Sequence, residues 1–277
     1  MAVIVSSVCN VFGDWLLVFP LAMGTKGAAI ATGISQTIGL LIMLTHFARK
    51  DGNLRFGKVT LNMGLFREII AHGLPEGVSQ LATPMMKFCM NHVLIERIGD
   101  LGVNAFSVVS NIAILSTGIF TGASEGLQPL FGQSYGAKSE KDLKFYFKSG
   151  LMISFGGSVI ITILSVLLRE NVCALFGSDA ATTEYVVQIY PMFSLGFIVM
   201  AINVMISAYL YSTERSALST GISLLRSVVL NSAIILILPR IFGDGAIWLS
   251  MFTYETIVLV IAAVLLKHSE RNGIQFK

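Results

Sequence analysis

Charged residues are scarce in this sequence. Asp, Glu, Lys and Arg make up 13% of its 277 residues, whereas hydrophobic residues make up 54% and the mean hydropathy is +0.76. Soluble domains carry about 25% charged residues, so a soluble globular protein is excluded. The net charge of +3 is also too small for a nucleic-acid-binding protein, whose basic residues cluster on one face. The composition therefore predicts an integral membrane protein.

Cysteine and histidine are few as well, and their spacing excludes two kinds of site. The three cysteines lie far apart in or beside apolar runs, which predicts small buried hydrophobic residues rather than a disulfide framework. The four scattered histidines form neither an H-x-x-x-H nor an H-E-x-x-H pattern, so a metal site is not expected. We accordingly expect no cofactor and no enzymatic activity.

Apolar segments dominate what is present. Eight of them reach the roughly 20 residues that a membrane-spanning helix needs. They lie near 2–22, 27–47, 73–96, 103–125, 147–168, 184–210, 218–238 and 246–266. The sequence thus predicts an all-α integral membrane protein with about eight transmembrane helices.

The lysines and arginines predict the orientation of these spans, because short cytoplasmic loops are enriched in both. With the N-terminus in the cytoplasm, thirteen of the nineteen fall on the inside and four on the outside. We therefore expect a multi-pass protein of the cytoplasmic membrane with both termini in the cytoplasm. Within residues 48–72, five apolar side chains recur at helical spacing, which predicts an amphipathic helix on the membrane surface: Leu61, Leu65, Phe66, Ile69 and Ile70.

A polar stretch at residues 122–138 interrupts the apolar sequence. It reads G-A-S-E-G-L-Q-P-L-F-G-Q-S-Y-G-A-K. Irregular or polar backbone at membrane depth is tolerated only where protein covers it or water fills a cavity. We therefore expect this stretch to face a cavity or the membrane surface.

Four motifs carry a resemblance to one family: N-V-F-G-D at 10–14, M-G-T-K-G-A-A-I-A-T at 23–32, G-L-P at 73–75 and Q-P-L-F-G-Q-S-Y-G-A-K at 128–138. In these motifs and their spacing the chain resembles the multidrug and toxic compound extrusion (MATE) family of efflux transporters. Members of that family have two six-helix lobes around a central cavity.

The resemblance also implies a domain organisation. Residues 1–47 correspond to the last two helices of the N-lobe, residues 48–72 to a cytoplasmic interlobe linker with its amphipathic helix, and residues 73–277 to a complete C-lobe with a short cytoplasmic tail. The first four helices of the family have no counterpart in this sequence. Because alternating access moves two lobes against each other, we expect transport to require those helices, supplied by an upstream extension or by a separately encoded N-terminal fragment.

The activity that the resemblance implies is export of cationic and amphiphilic organic compounds in exchange for Na⁺ or H⁺. Position by position, the cation-coupling residues of the family's N-lobe fall on Asn10, Asp14 and Thr32. A further Asp on the family's first helix has no counterpart here. The partners implied are small organic substrates and the lipid bilayer.

Asp14 is notable from its position alone, because it lies inside an apolar run one helical turn after Asn10. A carboxylate within a span costs about 2.5 to 3.5 kcal/mol on insertion scales and normally marks an ion or proton path. As a proton carrier Asp14 would bind and release a proton, whereas as a Na⁺ ligand it would stay ionised beside oxygens of Asn10 and Thr32. The alternative is an aspartate that caps a helix end.

Polar residues of the predicted C-lobe are candidates for a substrate cavity or gate: Lys87, Asn91, Glu125, Gln128 and Glu255. Lys87 and Glu255 lie within spans, where a charge needs a partner or a water-filled cavity. Glu255 is either a proton or substrate contact or a buried, hydrogen-bonded carboxylic acid. Glu125 and Gln128, at the end of the fourth span, are either a polar gate or a helix cap. Arg226, placed near a span end, is expected to extend its charge to the membrane surface.

Other functions stay open at this level. A lipid-linked oligosaccharide flippase of the same superfamily usually has a strongly basic cavity, and the few intramembrane cations here disfavour it. An intramembrane enzyme and a non-transporting membrane fragment are alternatives from other classes. Methionine and phenylalanine side chains either line an adaptable cavity or pack in the interior and against lipid: Met85, Met86, Met90, Phe193, Phe197, Met200 and Met205.

Overall fold

The computed structural model describes residues 2–48 and 62–270, and this part of the chain is α-helical apart from short turns. The chain divides into two compact units, Met1–Asn62 and Met63–Lys277. Six described helices are long and apolar enough to cross a membrane, and the shorter Ala2–Val18 is also apolar. The predicted all-α, multi-pass membrane fold is thereby confirmed, with the helix count near the expected one.

The first unit is a helical hairpin of α1 (Ala2–Val18) and α2 (Gly24–Ala48). Small residues let the two backbones approach closely. A Cβ atom on Gly27 would lie 2.9 Å from the carbonyl carbon and oxygen of Leu17. Further along, the Ser6 hydroxyl donates a 2.8 Å hydrogen bond to the backbone oxygen of Ser35. The hairpin therefore depends on the absence of a side chain at Gly27.

Gly27→Ala is expected to lower the free energy of unfolding by about 1 to 3 kcal/mol, because a methyl group cannot enter the space beside a backbone carbonyl without moving a helix. Gly33→Ala is the matched control. Gly33 lies in the same helix, but a Cβ atom there would meet nothing within 4 Å, so the helix propensity of Ala should leave stability unchanged or slightly higher. Melting temperatures of the purified variants test this, and equal values for the two variants would contradict it.

The second unit contains α3 (Met63–Gln80), α4 (Ala82–Arg97), α5 (Asp100–Gly136), α6 (Glu140–Leu167), α7 (Arg169–Leu175), α8 (Ala180–Ser212), α9 (Ser216–Leu224), α10 (Asn231–Phe242) and α11 (Ser250–Glu270). A π-helical turn, Leu225–Leu230, joins α9 to α10, and a 3₁₀ turn, Asp244–Leu249, joins α10 to α11. Helix α8 contacts α5, α6, α7, α9 and α11. It is the most buried span of the six, which fits a helix that is apolar all round.

Two hydrophobic clusters hold this unit together. One surrounds Tyr190, Phe193, Phe197 and Trp248, and the other surrounds Phe131 and Tyr209. In the second cluster, Phe131 meets Tyr209 edge to face with ring centroids 5.6 Å apart. The N-terminus of α8 is capped by Asp179, whose carboxylate accepts a 2.6 Å hydrogen bond from the backbone N–H of Thr182. Hydrogen bonds from the side chain and backbone of Thr182 lower the pKa of Asp179.

The predicted span over 73–96 differs from what is observed. Helix α3 runs past residue 73 to Gln80, and a turn at Leu81 separates it from α4. Pro84 explains the interruption, because proline has no N–H and its ring clashes with the carbonyl four residues earlier, which is that of Gln80. The domain boundaries at 47/48 and 72/73 remain predictions, and residues 49–61 of the predicted linker lie outside the described part of the chain.

The prediction that the fourth span ends at residue 125 is also wrong. Helix α5 continues to Gly136 with Pro129 inside it, and its 37 residues give a length of about 55 Å at 1.5 Å per residue. The chain then reverses within three residues. Lys138 adopts a positive φ of 55°, and the Ser139 hydroxyl donates a 2.6 Å hydrogen bond to Oδ2 of Asp142 at the start of α6. The polar stretch is therefore a helix followed by a tight turn.

Candidate functional site

An open cavity in the second unit is lined by residues of α3, α4, α5, α8, α9, the π-helical turn and α11. Four of the five residues predicted for a cavity or gate line it: Lys87, Glu125, Gln128 and Glu255. The fifth, Asn91, is exposed elsewhere on α4. Glu125 is exposed and Lys87 is half-buried, so Glu125 lies at the open edge. The polar stretch of α5 thus faces a cavity, as expected.

A buried ion pair forms part of the cavity wall. Nε of Arg226 donates a 2.9 Å hydrogen bond to Oε1 of Glu255, and the two side chains are only 14% and 1% exposed. Nδ2 of Asn203 donates to Oε2 of Glu255 at 2.7 Å and to its backbone oxygen at 2.9 Å. Both carboxylate oxygens are therefore occupied. Of the two alternatives for Glu255, this geometry favours a buried, hydrogen-bonded group, which is ion-paired rather than a neutral acid.

Arg226 does not reach towards a membrane surface, contrary to the expectation. It lies in the π-helical turn inside the span Ala217–Phe242, facing Glu255 of α11. Single-turn π segments within α-helices occur frequently at functional sites. One signal in the sequence could have indicated the pairing. Arg226 and Glu255 are isolated opposite charges in two apolar segments, and charges within a membrane usually pair with each other.

Methionines supply much of the apolar lining: Met86, Met200 and Met251. The hydroxyl of Tyr254 lies 3.8 Å from the sulfur of Met86, and the hydroxyl of Thr117 lies 3.8 Å from that of Met200. Flexible thioethers can repack around ligands of different shapes. Of the other predicted candidates, four are fully buried in the hydrophobic clusters: Met90, Met205, Phe193 and Phe197. Met85 is half-buried and is not part of the cavity lining.

The letters G-A-S-E-G at 122–126 match G-x-S-x-G, a pattern of nucleophilic serines. That chemistry requires a sharp strand-to-helix turn that exposes the serine. Here Ser124 lies in the middle of α5, is buried, and donates a 2.8 Å hydrogen bond to the backbone oxygen of Thr121. The geometry does not support a hydrolase site at this serine.

In the first unit, two of the predicted coupling residues meet between α1 and α2. Nδ2 of Asn10 donates a 3.4 Å hydrogen bond to the Thr32 hydroxyl, which donates at 2.9 Å to the backbone oxygen of Ala28. Asp14 lies one turn after Asn10, inside α1 rather than at a helix start, so it is not an N-terminal cap. Its Oδ1 atom is buried and has no hydrogen-bond partner among the described residues.

This arrangement fits a cation or a proton. A buried carboxylate oxygen without a partner is costly, and a bound Na⁺ or a proton would remove that cost. Na⁺ is a hard cation, and such cations take oxygen ligands. Because the Asn10 NH₂ group makes the contact with Thr32, the amide oxygen of Asn10 does not take part in it. No group of three or more His, Cys, Asp or Glu residues forms a metal site within the described ranges.

Comparisons with known proteins identify the family of this chain. The MatE family model matches residues 75–237, more than half of the chain. The multidrug export protein MepA of Staphylococcus aureus (strain MRSA252) is 22% identical over 269 residues, which cover 95% of this chain and 58% of MepA. The chain thus spans less than two thirds of the length of the curated relatives that it matches.

Solved structures share the fold. An outward-facing multidrug resistance MATE transporter of the MOP superfamily has a TM-score of 0.86 and 20% identity, over 95% of this chain and 60% of its own. A MOP superfamily transporter from Pyrococcus furiosus has the same score and identity, over 97% of this chain and 62% of its own. The helices, the motifs and the family match lead to one conclusion: the chain belongs to the MatE family, the multidrug and toxic compound extrusion transporters.

Proposed function

We propose that this protein takes part in cation-coupled export of organic cations and amphiphilic drugs across the cytoplasmic membrane. Na⁺ or H⁺ would enter the cell as the drug leaves. The observation that carries the proposal is the buried, unpartnered carboxylate oxygen of Asp14 in an apolar hairpin, one helical turn after Asn10, whose side chain contacts Thr32. Family membership supports the drug-export half of the proposal, since MepA is a multidrug export protein.

The physical basis of coupling is the cost of the Asp14 charge. Within a span the empty, ionised carboxylate is unfavourable, whereas the same group carrying a cation or a proton is neutral. Ion binding therefore changes the stability of the hairpin. If two conformations of the protein surround Asp14 differently, the ion binds one of them more tightly and shifts the equilibrium towards it, which is how an ion gradient can drive the change. In this scheme the residues of the hairpin bind the ion, and the cavity of the second unit binds the drug.

The cavity suits an amphiphilic substrate. Its methionines and Tyr254 provide an adaptable apolar surface, while Glu125 at the open edge attracts a positive charge. The distribution of lysines and arginines supports an orientation with both termini in the cytoplasm.

Ethidium accumulation tests the proposal. Bacteria that produce the protein together with an N-terminal fragment supplying the family's first four helices are expected to accumulate less ethidium than cells carrying an empty vector, and to lose this difference when the driving gradient is collapsed. Two ionophores identify the coupling ion. Loss of export with monensin, which dissipates the Na⁺ gradient, indicates Na⁺, whereas loss of export with a protonophore alone indicates H⁺. Equal accumulation in producing and control cells, with both polypeptides present in the membrane, would contradict the proposal.

A further inference from the structure

We propose that the cavity of the second unit contains an anion-recognition site, formed by Arg226 and Lys87, for a carboxylate or phosphate group on an amphiphilic substrate. The inference rests on the proposed function, because it specifies which compounds that exporter binds. It adds that the ligand carries an anionic group, as a zwitterion does, in addition to any positive charge.

The charges on the cavity wall are not equally available to a ligand. Four charged residues line the cavity: Lys87, Glu125, Arg226 and Glu255. Glu255 is 1% exposed, and each of its carboxylate oxygens already accepts a hydrogen bond, one from Arg226 and one from Asn203. Its negative charge is therefore engaged within the protein. The carboxylate that a ligand can reach is that of Glu125, at the open edge.

Arg226 still has donors to offer. A guanidinium carries five N–H donors, and the hydrogen bond to Glu255 uses Nε alone. Among the described residues no acceptor is bonded to Nη1 or Nη2, and neither atom is one of the fully buried unpartnered atoms. Both are thus reachable from the cavity that Arg226 lines. A guanidinium edge of this kind recognises a carboxylate or phosphate with two parallel hydrogen bonds.

The orientation of this guanidinium is fixed in advance. Asn203 holds the Glu255 carboxylate and backbone, and Glu255 in turn holds Nε of Arg226. A donor that is already oriented loses less side-chain freedom when a ligand binds. Because Arg226 is mostly buried, its interaction with an anion is screened less than it would be at a surface. Asn203 and Glu255 are positioning residues in this site, and Arg226 contacts the ligand.

Lys87 supplies a second positive charge from a neighbouring element. Its helix, α4, packs against the π-helical turn that carries Arg226. Met86, which precedes Lys87, contacts Tyr254, which precedes Glu255. This contact holds α4 and α11 together next to the two charged residues. Lys87 lines the cavity and forms no ion pair with any described residue. The cavity wall therefore offers two partly buried cations and one exposed carboxylate.

The test uses the ethyl ester of a rhodamine dye and its free carboxylic acid. These compounds share the cationic ring system and differ in the anionic group. Dissociation constants are measured by fluorescence polarisation with the purified 277-residue chain in an uncharged detergent. The wild type is expected to bind the acid about tenfold more tightly than the ester. A tenfold difference in affinity corresponds to a difference in binding free energy of about 1.4 kcal/mol. Equal or tighter binding of the ester, or no saturable binding of the acid, overturns the proposal.

Two variants locate the site. Lys87→Gln and the double variant R226Q/E255Q are each expected to weaken binding of the acid by about tenfold and to change binding of the ester less than twofold. The double change leaves no unpaired buried charge, and retained ester binding shows that it is folded. If the double variant does not fold, Lys87→Gln carries the test alone. An unchanged acid-to-ester preference in the folded variants overturns the proposal.

Competition identifies the source of the anion. Displacement of the acid dye by lysophosphatidylglycerol indicates a lipid phosphate, whereas displacement by laurate alone indicates a carboxylate, and both results support the site. The binding assay is independent of transport. Acid preference in a protein that exports no ethidium contradicts the proposed function only, and export by a protein without acid preference contradicts this inference only.

Discussion

Asp14→Asn is expected to reduce ion-driven ethidium export by at least about tenfold. The substitution keeps the size of the side chain but removes the charge that a Na⁺ ion or a proton would neutralise, and a contact to a charged group contributes about 1.5 to 3 kcal/mol. Initial rates of ethidium export, driven by an imposed Na⁺ or H⁺ gradient in membrane vesicles that also contain the N-terminal fragment with the family's first four helices, give the measurement.

A second readout separates lost coupling from lost folding. The Oδ1 atom of Asp14 is buried without a partner in the described structure, so replacing the carboxylate with a neutral amide should preserve or raise the melting temperature. Glu214→Gln is the control, because Glu214 is exposed in the turn before α9 and its change should alter neither export nor stability. Unchanged ion-driven export by Asp14→Asn would exclude Asp14 as the coupling carboxylate.

Glu255→Leu is expected to cost about 3 to 5 kcal/mol of stability, because it leaves the buried guanidinium of Arg226 without its partner. The amide of Asn203 loses its acceptor on the side chain as well. At about 2 to 4 °C per kcal/mol, this corresponds to a fall in melting temperature of roughly 6 to 20 °C. Thermal unfolding in detergent, followed through the buried Trp248, provides the measurement.

Two comparisons show whether the buried pair is the cause. The double variant R226M/E255L should recover most of the lost stability, because a buried ion pair can often be replaced by apolar side chains of similar volume. Glu140→Gln breaks the exposed pair of Glu140 with Lys144 and should cost less than about 1 kcal/mol. A single Glu255→Leu variant as stable as the wild type, or a double variant as unstable as the single one, would refute the explanation.

Most of the helices could be predicted from the sequence, because membrane spans need long apolar runs and lipid leaves the backbone few alternatives. The two failures have different causes. Pro84 breaks the segment expected at 73–96, since it removes the hydrogen bond to Gln80. Glycine, proline and polar residues at 122–136 indicated irregular backbone, but α5 continues through them. In a long helix that packs against α6 and α8, tertiary contacts outweigh the weak propensities of glycine residues.

The candidate sites also include contacts that the sequence predicts and contacts that it does not. Asn10 and Asp14 were predictable as a pair because they are four residues apart on one helix, and the contact of Asn10 with Thr32 follows from a short hairpin. The partnership of Arg226, Glu255 and Asn203 was not predictable in the same way. These residues come from three segments, and Asn203 lies in α8, the most buried span, without any motif around it. Helix rotation and packing decide which buried polar groups face each other.

The sequence by itself determined that this protein is a helical membrane protein, which family it resembles, and where an isolated carboxylate enters a span. These features follow from composition, from the length and periodicity of apolar segments, and from the spacing of motifs. All of these are properties of a single helix or of residues close together in the chain. Only the tertiary structure decided that Glu255 is engaged by Arg226 and Asn203, and that Glu125 and Lys87 line the same cavity as Arg226 and Glu255. Pairing across 29 and 52 positions depends on how the helices pack, because side chains that are far apart in sequence become neighbours only when their helix faces meet.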